Sequence, residues 1–243
     1  MTQKKFALKD LLRSKSPNLA LIILNQPITL PYFKRLWSNA KIKVCADGGC
    51  QALMTYAPSL IPDYIIGDMD STDEAVLEHF KRKMDPSHII KDTSQNQTDM
   101  EKCCGFCIKN KKQTDYEAMV VVGGMGGPRW DQFCGGLHCC FRWAEENIIM
   151  CDETGACYVL PPGEHDLEME EGWEGPHCGI FPMQCEAQVE TEGLKHDLKG
   201  EKKLAMGKNV SVSNTIKGKS VRVKNDKPVL WIEEINGTKL STD

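Results

Sequence analysis

The feature that most constrains this chain is an alternation. Short, nearly continuous apolar runs ("LALII", "IKVCA", "YIIG", "AMVVV", "NIIMC") are separated by helix-patterned segments over about the first 150 residues. A strand covered on one face only would alternate apolar and polar residues. A run that stays apolar must be covered on both faces, and parallel sheets sandwiched between helices are the usual solution. The helical segments between the runs are "YFKRLW", "STDEAVLEHFKRK", "TDMEKCCGFCIKNKK" and "RWDQFCGGLHCCFRWAEE". Two of them carry capping-box signatures, Ser71 with Glu74 and Thr98 with Glu101. "SHIIKDTSQ" adds a short strand.

Near Pro161-Pro162-Gly163 the helical periodicity stops. Alternating segments replace it: "EHDLEME", "SVRVKN" and "VLWIEEI", with "KGKS" and "NDKP" as turn signals. The expected fold is therefore α/β. A mostly parallel, Rossmann-like three-layer domain over residues 19–158 is followed by an antiparallel β-sandwich domain over 159–243. Residues 1–18 read as an N-terminal extension, and both termini as loose.

Composition narrows the function. The net charge is −4 and no basic face stands out, which argues against nucleic acid as a partner. The N-terminal segment has no apolar stretch of signal-peptide length, and no run approaches the roughly 20 apolar residues of a membrane helix. The expectation is a cytoplasmic protein without a membrane partner. Twelve cysteines raise the question of zinc, because Cys104 and Cys107 have C-x-x-C spacing and Cys134, His138, Cys139 and Cys140 cluster nearby. Both groups fall in helical patterns without the turns of a zinc knuckle. Buried, reduced thiols are the favoured reading.

In a parallel sheet, ligands bind beyond the carboxyl ends of the strands. Asn25 and Gln26 follow the first strand, and Asp47 with Gly48 and Gly49 the second. Asp68 and Asp70 follow the third, and Gln95, Asn96, Thr98 and Asp99 the fourth. Gly123, Gly124, Gly127, Arg129 and Asp131 follow the fifth. That edge gathers carboxylates suited to Mg²⁺, a glycine-rich loop suited to phosphate, and an arginine able to clamp it. Each member has a plainer reading. Asp70 resembles a helix cap, but Ser71 already fills that role. Asp99 and Asp131 stand where a helix dipole favours any carboxylate. Asp47 before two glycines suits a turn, and glycines also let a helix approach a strand. Asp68 and Asp70 would share a side in an extended segment. Two negative charges so close repel, and a cation relieves the cost.

The segments "CADGG", "PDYIIGDMDS", "QNQTD", "VVVGGMGGPRWDQ", "VLPPGEH" and "VSVSNT" occur in this order. Together they resemble the eukaryotic thiamine pyrophosphokinase family over nearly the whole chain. The resemblance implies transfer of a diphosphoryl group from ATP to the hydroxyethyl oxygen of thiamine, with Mg²⁺, giving AMP and thiamine diphosphate. It implies a homodimer with shared active sites. It also implies that Asp68, Asp70 and Asp99 are metal and phosphate carboxylates, that Gln95 and Arg129 contact nucleotide phosphates, and that Asp131 belongs to the reaction centre. Ser213, Asn214 and Trp231 would be the second domain's share of the thiamine pocket, across the dimer. The chain departs from the family at Asn96-Gln97, where animal relatives usually carry an aspartate and a histidine. It departs again near His196, where a tryptophan commonly stands. The proton acceptor is left between Asp99 and Asp131. Another metal-dependent nucleotide transferase, or a catalytically inactive thiamine- or nucleotide-binding sensor, are the alternatives.

Overall fold

The computed structural model describes residues 8–13, 18–125, 127–169 and 173–236. The α/β part runs α1 (Leu8–Arg13), β1 (Leu19–Ile23), α2 (Phe33–Ser38), β2 (Ala40–Ala46), α3 (Asp47–Tyr56), β3 (Tyr64–Gly67) and α4 (Glu74–Lys81). It continues with β4 (Ile89–Lys91), α5 (Asp99–Thr114), β5 (Ala118–Val122), α6 (Trp130–Arg142) and β6 (Ile148–Cys151). The remainder is β: β7 (Gly155–Leu160), β8 (Gly163–Glu168), β9 (Glu174–Phe181), β10 (Val189–Glu192), β11 (Ser211–Thr215), β12 (Ser220–Asn225) and β13 (Val229–Ile235).

The parallel order is β6-β5-β1-β2-β3-β4. The continuously apolar runs lie where both faces are covered. Every residue of β1, β5 and β6 is buried, with odd and even positions feeding two different apolar clusters. From β1 the chain moves outward through β2, β3 and β4. It then returns to the other side of β1 as β5. The carboxyl ends of β1 and β5 thus flank the switch point of the sheet, where a crevice opens.

The α/β part followed by an antiparallel β-sandwich is as expected, and three details add to or correct the reading. The large sheet does not stop at the change of pattern: β7 pairs antiparallel with β6, and β13, β9 and β11 extend the same sheet to ten strands. The second layer of the sandwich is the three-stranded sheet β10-β12-β8, whose Leu167, Val189, Val221 and Val223 share a core with Ile180, Val229 and Trp231. Sequence alternation marks a one-sided strand but not its neighbour, so it does not reveal which sheet β13 joins. Second, the N-terminal extension is not loose over 8–13. Leu8, Leu11 and Leu12 are buried, and the Asn39 side-chain amide donates to the carbonyls of Leu11 and Leu12. Residues 1–7, 14–17 and 237–243 lie outside the described residues. Third, Asp47 and the two glycines after it, which suited a turn, form the first turn of a helix. A side chain at Gly49 would stand 2.3 Å from the carbonyl oxygen of Ile23, so α3 packs against β1 only as glycine.

Candidate active site

The strand ends and following loops enclose a cleft of about 380 Å³ at the switch point. Asn25 and Gln26 line it from the β1 end, Gly48 from α3, and Asp68 from β3. Gln95, Thr98 and Asp99 line it from the start of α5, and Gly124 and Asp131 from the β5–α6 connection. The expected gathering of these residues on one edge is therefore present. Thr98 caps α5 as expected: its hydroxyl accepts from the Glu101 N–H, and the Glu101 carboxylate accepts from the Thr98 N–H at 3.0 Å. The cap fixes where Asp99 begins the helix.

Asp47 is fully buried behind the cleft. One carboxylate oxygen accepts from the Gly48 N–H at 2.7 Å and the other from the Met69 N–H at 2.9 Å. The Thr72 hydroxyl donates to the Asp47 carbonyl. Asp47 thus ties the start of α3 to the loop that carries Asp68 and Asp70. Gly67 leaves room for it, because a Cβ there would lie 2.6 Å from the Asp47 carboxyl carbon. The expected consequence is a split between neighbours. Asp47→Asn loses one acceptor for a buried N–H and should cost about 1–3 kcal/mol of stability. Denaturant titration beside the same measurement on Asp70→Asn, which should stay near wild type, checks it.

The Asp68-Asp70 segment is not extended. Met69 lies in the left-handed region at φ 70°, and the turn brings the two carboxylates to the same side. Oxygens of Asp47, Asp68 and Asp70 all lie within 4.8 Å of one another. Three hard oxygen donors at that spacing suit Mg²⁺. The grouping differs from the expected Asp68, Asp70 and Asp99: Asp47 enters it. Asp99 stands beside it and lines the cleft. The Ser71–Glu74 capping box does not form. Asp73 occupies the cap position, and the Ser71 hydroxyl donates instead to Asp70 at 3.0 Å. Asp70 is still left free of a capping role.

The electrostatics separate the carboxylates. Asp68 is held below the ordinary range, first by its hydrogen bond with the Asp70 side chain, then against some desolvation by the Asp70 N–H, the Lys102 charge and the Gln95 amide. Asp99 is pushed up by partial burial and by Asp47, with Lys102 opposing. Asp131 is drawn down to about 2 by two hydrogen bonds from Arg129. A carboxylate held that low accepts a proton poorly, so Asp99 is the stronger acceptor of the two while that pair lasts.

Several expected site residues stand elsewhere. Arg129 does not line the cleft; its guanidinium is exposed at the rim and engaged by Asp131. Ser213, Asn214 and Trp231 are also absent from the cleft lining of their own chain. Trp231 is completely buried and donates its indole N–H to Glu233 at 2.7 Å, so it presents no surface to a ligand. The Asn214 amide is spent within the chain: it accepts from the N–H groups of His196 and Thr215 and donates to the His196 carbonyl and the Ser211 hydroxyl. Ser213 is exposed, with φ 53°. A cleft residue that sequence reasoning missed is Lys102, which lines it with a side chain only 3% exposed. Its signal was available: a lysine one turn into α5 stands at the positive end of the helix dipole.

Ten of the twelve cysteines fall in buried packing positions. Cys104, Cys107, Cys139 and Cys140 are buried between α5, α6 and the sheet, while Cys134 is exposed. A hydrogen bond with Cys139 and burial raise the Cys104 thiol well above its ordinary value, and burial pushes Cys107 up to about 12. Zinc requires thiolates. Elemental analysis of protein purified under reducing conditions is expected to find no stoichiometric zinc; one zinc per chain would overturn the packing role.

Fold and cleft together define a class: a doubly covered α/β protein with an acidic, glycine-bordered cleft at its switch point, joined to an antiparallel sandwich. Residues 33–151 match the family described as "Thiamin pyrophosphokinase, catalytic domain", and residues 164–230 "Thiamin pyrophosphokinase, vitamin B1 binding domain". Thiamine pyrophosphokinase 1 of Oryza sativa subsp. japonica is 31% identical over 87% of this chain and 85% of its own. Thiamine pyrophosphokinase 1 of Arabidopsis thaliana is 31% identical over 91% and 88%. The crystal structure of yeast thiamin pyrophosphokinase shares the fold with a TM-score of 0.85 at 24% identity, over 99% of this chain and 94% of that one. The chain belongs to the thiamine pyrophosphokinase family.

Proposed function

We propose that this chain transfers the diphosphoryl group of ATP to the hydroxyethyl oxygen of thiamine, releasing AMP. The observation that carries the reading is the convergence of Asp68, Asp99, Gln95 and the Gly123-Gly124 turn on one cleft, in a chain of this family. Asp68 and Asp70 would hold Mg²⁺, with Asp47 or Asp99 completing the set; the close approach of the carboxylates is what favours a divalent cation there. Bound there, the ion would neutralise polyphosphate charge.

The chain's own groups do the rest. Backbone N–H groups of the glycine turn and the amides of Asn25, Gln26 and Gln95 approach phosphate oxygens. Arg129 at the rim exchanges Asp131 for phosphate. Asp99 accepts the proton of the attacking alcohol at the carboxylate oxygen that the cation would leave free. Choice of the β- over the γ-phosphorus is a matter of where the alcohol is held, because phosphoryl chemistry is largely positioning and charge neutralisation. The thiazolium cation is drawn to an acidic cleft. Ser213, placed by Asn214, serves the cleft of a second copy in a homodimer. That reading is supported by the resemblance and by the exposure of Ser213 at a left-handed position. We take 19–158 as the catalytic and 159–243 as the thiamine-binding division. The family matches at 33–151 and 164–230 fall on its two sides. The setting is a reducing compartment, in keeping with twelve cysteines that stand as thiols, and we take it as the cytoplasm. Among the described residues no helix is long and apolar enough to cross a membrane.

Incubating the purified protein with Mg-ATP and thiamine tests the reaction. AMP and thiamine diphosphate should appear in equal amounts. Thiamine-dependent ADP without AMP would mean γ-phosphoryl transfer, and no thiamine-dependent nucleotide turnover would return the chain to a binding role.

A further inference from the structure

We propose that Lys102 is a built-in counter-ion of the carboxylate cluster, one that disfavours free divalent cations and releases Asp99 only when cation and polyphosphate arrive together. The proposal rests on the reading of the cleft as a metal–nucleotide site.

The position of Lys102 is unfavourable twice over. It lies in the first turns of α5, where the helix dipole repels a cation. Its side chain is 3% exposed, so the ammonium has lost most of its water. Against these costs stands one ion pair: Nζ lies 3.4 Å from Asp99 Oδ1, and among the described residues no other carboxylate is within ion-pair distance of it. A single, rather long pair to a half-exposed carboxylate is weak compensation. The surroundings explain the placement better. Lys102 lines the same cleft as Asp68 and Asp99, with Asp47 and Asp70 adjoining Asp68, and its charge is felt at Asp68 as well.

The consequence is a linkage. A free divalent cation entering the cluster must share its field with an ammonium that cannot retreat into water. A polyphosphate changes the balance, because its negative oxygens give Lys102 a second partner inside the cleft. The ammonium can turn from Asp99 to phosphate, and Asp99 is freed for the cation. Cation and nucleotide then each raise the other's affinity, as linkage requires. The ligand recognised is the complex of a divalent cation with a polyphosphate, in preference to either alone.

The test is calorimetric titration of the full chain with MgCl₂ alone, and again with an ATP analogue blocked at the α–β bridge. Replacing Lys102 by methionine removes the charge and keeps the volume. Affinity for Mg²⁺ alone should then rise about tenfold, and the enhancement given by the analogue should shrink by a similar factor. Lys102→Arg should behave as the wild type. Lys102→Gln provides a second neutral variant if the methionine protein does not fold. Unchanged Mg²⁺ affinity in a folded neutral variant would overturn the proposal, as would Mg²⁺ uptake by neither protein or equal tightening in Lys102→Arg. Failure of the wild type to make thiamine diphosphate would sink the functional reading separately, because the metal titration does not depend on turnover.

Discussion

Turnover of an Asp70→Asn variant is expected to fall by about a thousandfold or more, with the fold intact. The substitution is nearly isosteric. Asp70 is exposed; its side chain meets the Ser71 hydroxyl, from which an asparagine carbonyl also accepts, and the Asp68 carboxylate, to which an asparagine amide can donate. Little structural energy is therefore at stake. What is lost is one negative charge from a group whose ligand oxygens lie within 4.8 Å of those of Asp47 and Asp68. Asp68→Asn should act in the same direction. Steady-state rates measured beside thermal unfolding decide the matter. A folded Asp70→Asn protein with near-normal kcat would remove Asp70 from the mechanism. The contrast with Asp47→Asn matters here: that variant should lose stability as well, because its carboxylate holds the buried Gly48 N–H and the partly buried Met69 N–H.

Mixing two inactive variants is expected to restore activity if the site is shared between subunits. Asp70→Asn spoils the α/β cleft. Asn214→Ala removes the amide that clamps His196 against β11 and sets the exposed Ser213. Neither Ser213 nor Asn214 lines the cleft of its own chain, so any part they play in catalysis would be played at a neighbour's cleft. In a heterodimer of the two variants, one composite site carries both defects and the other carries none. Equal mixing with full exchange makes half the dimers hybrid, so activity should recover to roughly a quarter of wild type. Each variant must first be dimeric, folded and nearly inactive alone, as sedimentation and separate assays establish. With exchange demonstrated, absence of recovery would return Asn214 to a purely within-chain role.

Sequence reading and structure meet unevenly along the chain, and the reasons are physical. The parallel order was legible because continuous apolar runs require two covered faces, a demand that local composition records. The cleft was legible for the same reason: in such a sheet every strand delivers its following loop to one edge, so Asn25, Asp68, Gln95, Asp99 and Gly124 could be placed together from chain order alone. The Thr98 cap was legible because it closes over three residues. Ser71 offered the same letters and failed, because its hydroxyl found the Asp70 carboxylate in a turn that Met69 makes left-handed.

What lay beyond the sequence depends on contacts between residues distant along the chain. Nothing local to Trp231 distinguishes a pocket wall from a core residue; the strands on either side of it and Glu233 make it core. Nothing local to Asn214 says that its amide is spent on His196. The joining of the β-sandwich to the catalytic sheet through β7 is a pairing choice, and strand pairing is written in register between segments rather than within one. Lys102 shows both sides. Its sequence position set it against the helix dipole, but only the folded cleft set it beside Asp99 and within the field of Asp68. The sequence by itself determined the layers, the edge and the residue types that meet there. The tertiary structure decided which of those side chains face the ligand and which are consumed in holding the others, because burial and hydrogen-bond saturation are properties of the packed neighbourhood, not of any one segment.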